Sequence, residues 1–247
     1  MDKNMLVRKL EGYAPLSYKD KADIRDLCSE EVVVVEAKKD IISDGDRPDH
    51  IHLILDGWAA RCKLMPDGTR QITALLMPGD FCDLHITVLA EMDHSITALT
   101  KCRVANLDTE KLDQMTTDRS MLTKALWWMT LVDEAVLRQW VINARRQAIP
   151  AVAHLLCELH RRMSSVGMVE GKEIELPLTQ QELADATGMS PVHMNRTIQT
   201  MRRENLIELK NSKLRIPDIN RLADAGGFDD SYLHLRKDTQ RRGEQAA

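Results

Sequence analysis

Between Glu31 and about Leu107, apolar residues come in short runs that alternate with polar ones and end at turns. Residues 32–35 form a β-branched run, and residues 51–57 alternate before they reach a glycine. Two further alternating runs flank the turn at residues 66–68, which has the sequence Pro-Asp-Gly. A period of two with glycine-bearing turns predicts a sandwich or a barrel-like roll of short strands.

From about Asp108 to Arg146 the spacing of apolar residues becomes helical. One set recurs at alternating steps of four and three, with Asp133 in one of its positions: Leu122, Leu126, Met129, Val136, Trp140 and Asn143. A seam of this period is what a two-stranded coiled coil buries, so it predicts a long dimerisation helix. The alternative is a helix packed on its own β-domain. The dimer is favoured because a second apolar side is present, formed by Trp127, Trp128, Leu131 and Val132.

The ends of this helix are also predicted from turn signals. We expect residues 114–118 to form a turn that leads into the helix, which begins after Asp118 or Ser120. Pro150 marks a hinge and a domain boundary after it.

A third region of short helices follows, beginning with an amphipathic stretch at residues 151–163. Thr179 and Glu182 form a capping-box pattern that starts one helix, and Gly188 ends that helix. Ser190 followed by proline is a start signal for a second helix. Two capped helices joined by so short a turn predict a helix-turn-helix at residues 178–207, although two helices of an ordinary bundle are the alternative.

The second of these helices has one apolar stripe, formed by Met194, Ile198 and Met201. We therefore expect the residues on its outward side to contact base edges in the DNA major groove. The residues expected to read bases are Val192, His193, Asn195 and Arg196. Two short strands at residues 207–209 and 214–216 enclose a basic turn, which predicts a wing. The expected phosphate contacts are Thr179, Gln180, Ser190, Arg202, Lys210, Ser212 and Lys213.

The chain carries a formal net charge of -4, which argues against a protein that is basic throughout. The charge is unevenly distributed: residues 190–216 hold six basic and two acidic side chains. No signal peptide or membrane-spanning stretch is visible, and five scattered cysteines suit free thiols. We therefore expect a cytoplasmic protein with a small basic face.

The order of the three regions resembles the Crp/Fnr family of bacterial transcription regulators. The most specific segments are LILDGWAARCKLMPDGTRQI followed by MPGDF, and SPVHMNRTIQ. The resemblance implies an α+β fold with a cyclic-nucleotide-binding-like β-roll (a double-stranded β-helix), a dimerisation helix and a winged helix-turn-helix. The domains would be residues 1–115, 116–147 and 148–217, followed by a partly disordered extension at 218–247. It also implies a homodimeric DNA-binding regulator rather than an enzyme, with a palindromic double-stranded site and RNA polymerase as partners.

The roll departs from the cyclic-AMP-binding members of that family. Their Gly-Glu-Leu motif aligns with Cys82, Asp83 and Leu84, and their Arg-Ser/Thr-Ala motif aligns with His94, Ser95 and Ile96. These positions, apart from Ile96, are the candidate effector pocket. Because the phosphate-binding arginine is missing, we do not expect a cyclic nucleotide to bind. No cysteine precedes Cys28, so an iron–sulfur cluster is not expected either, whereas haem on His85 or His94 stays open.

A rival prediction comes from the histidines of the roll. His50, His52 and His85 loosely resemble the metal ligands of a cupin-like enzyme or of a haem- or metal-binding sensor. Strand alternation, however, puts Ile51, Leu53 and Leu55 on the core side and places His50 and His52 on the outer face. We therefore predict no metal site and no catalytic residues.

Overall fold

The computed structural model describes residues 2–89, 91–117 and 119–235. The chain divides into two compact units, Met1–Thr130 and Leu131–Ala247, and each is described by itself below. None of the helices in the described ranges is long and apolar enough to cross a membrane. The predicted disorder of residues 237–247 concerns positions outside the described residues.

The first unit contains the predicted roll. Its helices are α1 (Met5–Glu11), α2 (Tyr18–Glu30) and α3 (Thr109–Thr117), and its strands are β1 (Val32–Val35), β2 (Asp40–Ile42), β3 (His50–Asp56), β4 (Ala59–Leu64), β5 (Arg70–Leu76), β6 (Ser95–Ala98) and β7 (Cys102–Asp108). One sheet has the order β1-β7-β3 and the other β2-β6-β4-β5. One hydrophobic cluster contains residues of both sheets, among them Ile42, Ile54, Ile96 and Val104. The short antiparallel strands and shared core confirm the predicted fold class.

One expected core position in β3 is wrong. Ile51 and Leu53 are buried as predicted, but Leu55 is half-buried. Ile54 is buried on the opposite face of the strand, in the cluster that both sheets share. The register of β3 against β7 shifts between Ile54 and Asp56. Such a bulge adds one residue to the strand and reverses the alternation beyond it, which the sequence pattern alone does not reveal.

The segment before the long helix was expected to be a turn, and that prediction is wrong for residues 114–117. These residues belong to α3, whose first turn begins where the side chain of Asp108 accepts the backbone N–H of Lys111 at 3.0 Å. An acceptor at that position satisfies a helix-start donor, so the helix continues to Thr117. The long helix α4 then runs from Ser120 to Asn143.

The predicted seam of α4 faces the chain itself. Leu122, Leu126, Met129, Val136 and Asn143 are all buried within the single chain. The seam prediction is therefore wrong about the partner, because the chain itself covers these residues. The alternative of packing on the β-domain does not describe the end of the helix either, where Asn143 donates to the carbonyl of Ala151 on the next helix. Spacing identifies residues that share a face, but it does not tell which molecule covers that face.

The opposite side of α4 is apolar and open. We call it the α4 outer face, and its members are between 47% and 67% exposed: Trp127, Leu131, Leu137, Val141 and Ile142. Of the other residues expected on a second apolar side, Val132 is buried and Trp128 stacks on Tyr13 with ring centroids 6.3 Å apart. A helix of this kind is hydrophobic on two faces, and a single chain covers only one of them.

The second unit contains the predicted winged helix-turn-helix. Its elements after α4 are α5 (Ala148–Ser165), β8 (Glu173–Glu175), α6 (Gln180–Thr187), α7 (Pro191–Arg203), β9 (Glu208–Lys210), β10 (Lys213–Arg215) and α8 (Ile219–Gly226). The three strands form a sheet in the order β8-β10-β9. A short 3-10 helix at Asp230–Leu233 follows, and Tyr232 and Leu233 are buried whereas Leu235 is half-exposed.

Pro150 does not mark the break between α4 and α5. It is the third residue of α5, and the non-helical residues lie at 144–147. The first backbone N–H groups of a helix have no intrahelical acceptor, so proline in the first turn costs no hydrogen bond. Pro150 therefore lies inside a helix rather than at the break, and motion about it stays a prediction.

A buried carboxylate joins three elements of the second unit. Glu158 on α5 accepts hydrogen bonds from Trp140 Nε1 at 3.2 Å and from Tyr232 Oη at 2.9 Å, and it pairs with Arg162 at 3.3 Å. Burial raises the pKa of Glu158, while Arg162 and the hydrogen-bond donors act in the opposite direction. Trp140, predicted in the dimer seam, is thus anchored inside its own chain.

Candidate nucleic-acid interface

The first helix of the predicted motif begins with two reciprocal hydrogen bonds. Thr179 Oγ1 accepts the N–H of Glu182 at 3.2 Å, and Glu182 Oε2 accepts the N–H of Thr179 at 2.7 Å. Gly188 ends α6 with a φ of 69°, in the left-handed region that favours glycine. The predicted capping box and helix end are both confirmed.

The second helix, α7, begins as predicted at Ser190, whose Oγ accepts the N–H of His193 at 3.3 Å. Its stripe of Met194, Ile198 and Met201 is at most 1% exposed. Thr197 is buried beside that stripe, and its hydroxyl donates to the carbonyl of His193 at 2.9 Å. The internal hydrogen bond explains how a polar residue missed by the apolar pattern is accommodated there.

The four residues expected to read bases all lie on the exposed side of α7, and Val192 is 64% exposed. Asn195 Nδ2 donates to Gln180 Oε1 at 2.6 Å, so one predicted base-reading residue and one predicted phosphate ligand are paired across the two helices. Arg196 forms no salt bridge or side-chain hydrogen bond within the described ranges, which leaves its five donors available to a ligand.

The wing has the expected hairpin, with each of its strands displaced by one residue from the prediction. Lys210 pairs directly with Lys213, and the two turn residues, Asn211 and Ser212, have φ values of 51° and 58°. Two successive positive φ angles fit a type I′ turn, which matches the twist of a tight hairpin. Lys210, Ser212 and Lys213 are exposed at its tip, whereas Arg215 pairs with Glu208 at 2.7 Å.

Of the remaining predicted phosphate ligands, Thr179, Ser190 and Arg202 are exposed and Gln180 is half-exposed. A groove of about 570 Å³ lies between the exposed side of α7 and the start of α5, and of these four residues Ser190 lines it. His193 and Arg196 line one wall, and residues 147–150 line the other. The sequence did not indicate this groove, because it depends on the packing of α5 beside α7. A helix start and an exposed guanidinium together favour an anion.

The predicted effector residues lie apart from this surface, in the roll. Cys82 and Asp83 are completely buried, and Leu84 begins a 3-10 helix at Leu84–Thr87. Asp83 accepts the backbone N–H of His52 and also bonds with His52 Nδ1, each at 2.7 Å. The placement of His52 on the outer face is therefore wrong: the side chain turns to the effector motif and is only 15% exposed.

Four further side chains of the roll bear on this prediction: His85, His94, Ser95 and Arg61. The rings of His85 and His94 have centroids 5.8 Å apart, and burial together with His94 lowers the pKa of His85. Ser95 Oγ accepts the N–H of Asp44 at 3.0 Å. Arg61 donates to the carbonyls of Phe81 at 3.0 Å and Cys82 at 3.3 Å. The sequence offered His52 only as a metal ligand and did not indicate Arg61, because strand register alone brings these two side chains to the motif.

The histidines of the metal-site alternative are not gathered around a common point. His50 pairs with its neighbour Asp49 at 2.8 Å, while His52 binds Asp83. Over residues 2–89, 91–117 and 119–235, no group of three or more His, Cys, Asp or Glu side chains is arranged to hold a metal ion. The cupin-like alternative gains no support from this geometry.

The cysteines are free thiols, as predicted: Cys28, Cys62, Cys82, Cys102 and Cys157 are all buried. Burial raises the pKa of Cys28 to about 11 and that of Cys157 to about 12. Thiols held in the protonated form are poor nucleophiles.

Comparison with known families matches two parts of the chain. Residues 151–225 match the Crp-like helix-turn-helix domain, and residues 32–119 match the cyclic nucleotide-binding domain. The first match runs from within α5 to within α8, and the second contains the strands β1 to β7 of the roll.

Two curated proteins are similar over most of their length. The transcriptional activator protein FnrL of Cereibacter sphaeroides is 27% identical over 199 residues, which cover 78% of this chain and 79% of that protein. The transcriptional activatory protein AadR of Rhodopseudomonas palustris is 28% identical over 196 residues, covering 78% and 77%. The solved structure of FixK2 from Bradyrhizobium japonicum has a TM-score of 0.71 at 18% identity, covering 79% of this chain and 96% of that one. This last likeness shows the fold alone.

Proposed function

The chain belongs to the Crp/Fnr family of DNA-binding transcription regulators, and we propose that it acts as a homodimer on a two-fold symmetric DNA site, controlled by a signal at the β-roll. Proteins of this family are regulators and not enzymes. The observation that carries the proposal is the exposed, capped start of α7, whose second turn presents Arg196 to solvent.

The reading step assigns roles to individual side chains on α7. Arg196 would donate hydrogen bonds to two acceptors of one guanine. Asn195 would either leave its hydrogen bond with Gln180 and bind an adenine, or keep that hydrogen bond and hold the side chain of Gln180 in position. Val192 offers an apolar contact to a thymine methyl group, and His193 lies beside it on the same turn.

Backbone contacts would hold the helix in register without reading sequence. Lys210, Ser212 and Lys213 are exposed at the tip of the wing, where they would contact the phosphates of the DNA backbone. Thr179, Gln180, Ser190 and Arg202 would contact phosphates around the motif. The backbone N–H groups at the start of α5 line the groove beside α7 and would attract a phosphate there.

The α4 outer face is the proposed dimer contact. Its apolar residues recur along one side of the helix, and an ion pair between Glu134 and Arg138 lies among them. A second copy related by a two-fold axis would cover the same residues on both chains. Two α7 helices would then face two half-sites, which is why we expect a palindromic site.

The signal would be received at Asp83, which bonds with His52 and has Cys82 and Leu84 on either side in the chain. The other candidate residues are His94, whose ring lies beside that of His85, and Ser95, which holds the backbone of Asp44. Because α4 contains the boundary between the two units, it is the element that would carry a change from the roll towards α7. We propose no resident cofactor. A cyclic nucleotide is not expected because His94 replaces the phosphate-binding arginine, and haem is included in the test below. The bound dimer would contact RNA polymerase in the cytoplasm.

The test is a selection of bound fragments from a random pool of double-stranded DNA, repeated with added haem and with cyclic AMP. We expect a palindromic consensus, recovered without either addition. The Arg196→Ala variant should select a consensus that is degenerate at one position in each half. Recovery of no consensus, or of an unchanged one with Arg196→Ala, would overturn the placement of α7.

A further inference from the structure

The first unit has a cavity that the residues of the Asp83 motif do not line. It measures about 400 Å³ and lies between the N-terminal helices and the roll, on the sheet of β1, β7 and β3. We call it the sheet cavity. The helices α1 and α2 precede residue 32, where the match to the cyclic nucleotide-binding domain begins, so this wall of the cavity lies outside the matched domain.

The walls of the sheet cavity offer uncovered apolar surface. Val34 pairs with Arg103 across β1 and β7, so Val32, two residues away on β1, lies on the same face of the sheet. Val32 is 37% exposed, and Met5 and Leu55 are half-exposed on the neighbouring walls. A volume of this size with partly exposed aliphatic walls suits the body of a small organic molecule.

The charges that line the sheet cavity all have one sign. They are Lys3, Arg25 and Arg103, and none of the described carboxylates lines the cavity, although the whole chain has a net charge of -4. Arg25 is paired with Asp2. Neither Lys3 nor Arg103 has a side-chain hydrogen bond or salt bridge in the described part of the chain. Two such cations beside apolar walls favour an anionic head on an apolar body.

We propose that the sheet cavity binds one small organic acid, with its carboxylate between Lys3 and Arg103 and its apolar body against Met5, Val32 and Leu55. A molecule bound in the sheet cavity would contact α1, which packs against the turn that precedes the Asp83 motif. Lys9 of α1 pairs with Asp80, and a side chain on Gly79 would lie 3.0 Å from the backbone of Met5, so α1 rests directly on the turn that leads to Cys82. The acid would thereby supply the signal at the roll. This last consequence rests on the proposed function, whereas the binding site does not.

The binding test is calorimetry on the full chain with octanoate and with octylammonium, which share a tail but differ in charge. We expect octanoate to bind once per chain and octylammonium not to bind. The double variant Lys3→Gln/Arg103→Gln should weaken octanoate binding by about tenfold or more, as the loss of a charge-assisted hydrogen bond implies. A matched variant, Lys39→Gln/Arg145→Gln, removes two other exposed cations and should bind octanoate like the original chain.

Equal binding of the two amphiphiles, or an unchanged affinity in the Lys3→Gln/Arg103→Gln variant, would overturn the site. A second variant, Val32→Trp, fills the cavity from an exposed strand position and should abolish binding while the circular dichroism spectrum is retained. Binding to the selected DNA is measured separately with and without octanoate. Absence of octanoate binding with intact DNA binding would overturn the site alone, and failure to bind any DNA sequence would overturn the proposed function alone.

Discussion

Helices α7 and α4 were both predicted from the spacing of apolar residues, yet the two predictions fare differently in the structure. In α7 the apolar stripe of Met194, Ile198 and Met201 is buried, and the opposite side is polar and open. In α4 the predicted seam is also buried, but the opposite side carries the exposed Trp127, Leu131 and Val141. A helix with one apolar face has only one way to pack, whereas a helix with two needs a second partner.

The difference separates two kinds of inference. For α7, pattern and capping residues together fix which side chains remain available to a ligand. For α4, the pattern identifies two faces correctly but cannot rank them, because burial against the chain and burial against a copy use the same residue types. The predictions below test whether the exposed side of each helix performs the role assigned to it.

The largest effect is expected from Leu131→Glu, which places a charge in the middle of the α4 outer face. Burying an unpaired carboxylate twice in a symmetric contact should cost about 3 kcal/mol or more of the dimerisation free energy. Sedimentation equilibrium would then show monomers at concentrations where the original chain is dimeric, and binding to a palindromic site should weaken accordingly.

Two control variants separate the effect on the dimer from the effect of the substitution itself. Leu64→Glu makes the same substitution at an exposed leucine outside α4 and should leave the dimer intact. Val136→Ala shortens a side chain of the predicted seam, so it should lower the free energy of unfolding without changing association. A dimer that survives Leu131→Glu but dissociates with Val136→Ala would restore the seam as the contact between copies.

Trp140→Phe tests whether the end of α4 belongs inside its own chain. The change removes the indole N–H that Glu158 accepts, and it should lower the free energy of unfolding by about 1–3 kcal/mol, measured by urea denaturation. An unchanged stability would contradict the anchoring of Trp140 to Glu158.

The pH profile of Glu158→Gln is the companion measurement. Because burial raises the folded-state pKa of Glu158 above its unfolded value, the stability it contributes is present at low pH and is lost as pH rises through the folded pKa. The glutamine variant should therefore gain stability relative to the original chain as pH is raised from about 4.3, the unfolded glutamate value, towards neutrality.

On α7, Arg196→Ala should weaken binding to the selected site by about 1–3 kcal/mol and relax preference at one base pair of each half. Arg203→Ala removes an equal charge from the same helix, where the guanidinium bonds to Thr200. That control should keep the base preference unchanged in a competition assay. A loss of preference in the control instead would move the reading surface along α7.

The smallest effect is expected at the wing. Lys213→Ala should weaken binding to all DNA sequences alike, and it should reduce the slope of log affinity against log salt by about 1 for each phosphate that is no longer neutralised. Titrations at several salt concentrations on the selected site and on a scrambled duplex measure both quantities. A change confined to the selected site would assign base reading to the wing.

The sequence predicts the winged helix-turn-helix nearly residue by residue because its signals are local. Thr179 with Glu182, Gly188, and Ser190 each act within one turn of chain, and the structure has each in its expected role. Their contacts to DNA stay a prediction.

The roll is predicted only in outline because its chemistry is assembled from distant strands. His52 reaches Asp83 across 31 positions, and Arg61 reaches the carbonyl of Cys82 across 21. A bulge in β3 also reverses the alternation by which Leu55 was expected in the core. Strand register and bulges determine such contacts, and neither can be predicted from the residue pattern of one strand alone.

The central claim is that two copies joined through α4 present two α7 helices to one DNA site, and the spacing between half-sites tests it most directly. Inserting about 5 base pairs at the centre of the selected palindrome turns one half-site to the opposite side of the duplex. The account predicts a complex of two chains per duplex on the original site and a loss of affinity of about a hundredfold on the lengthened one. Equal affinity for both duplexes, with one chain bound per half-site, would contradict it.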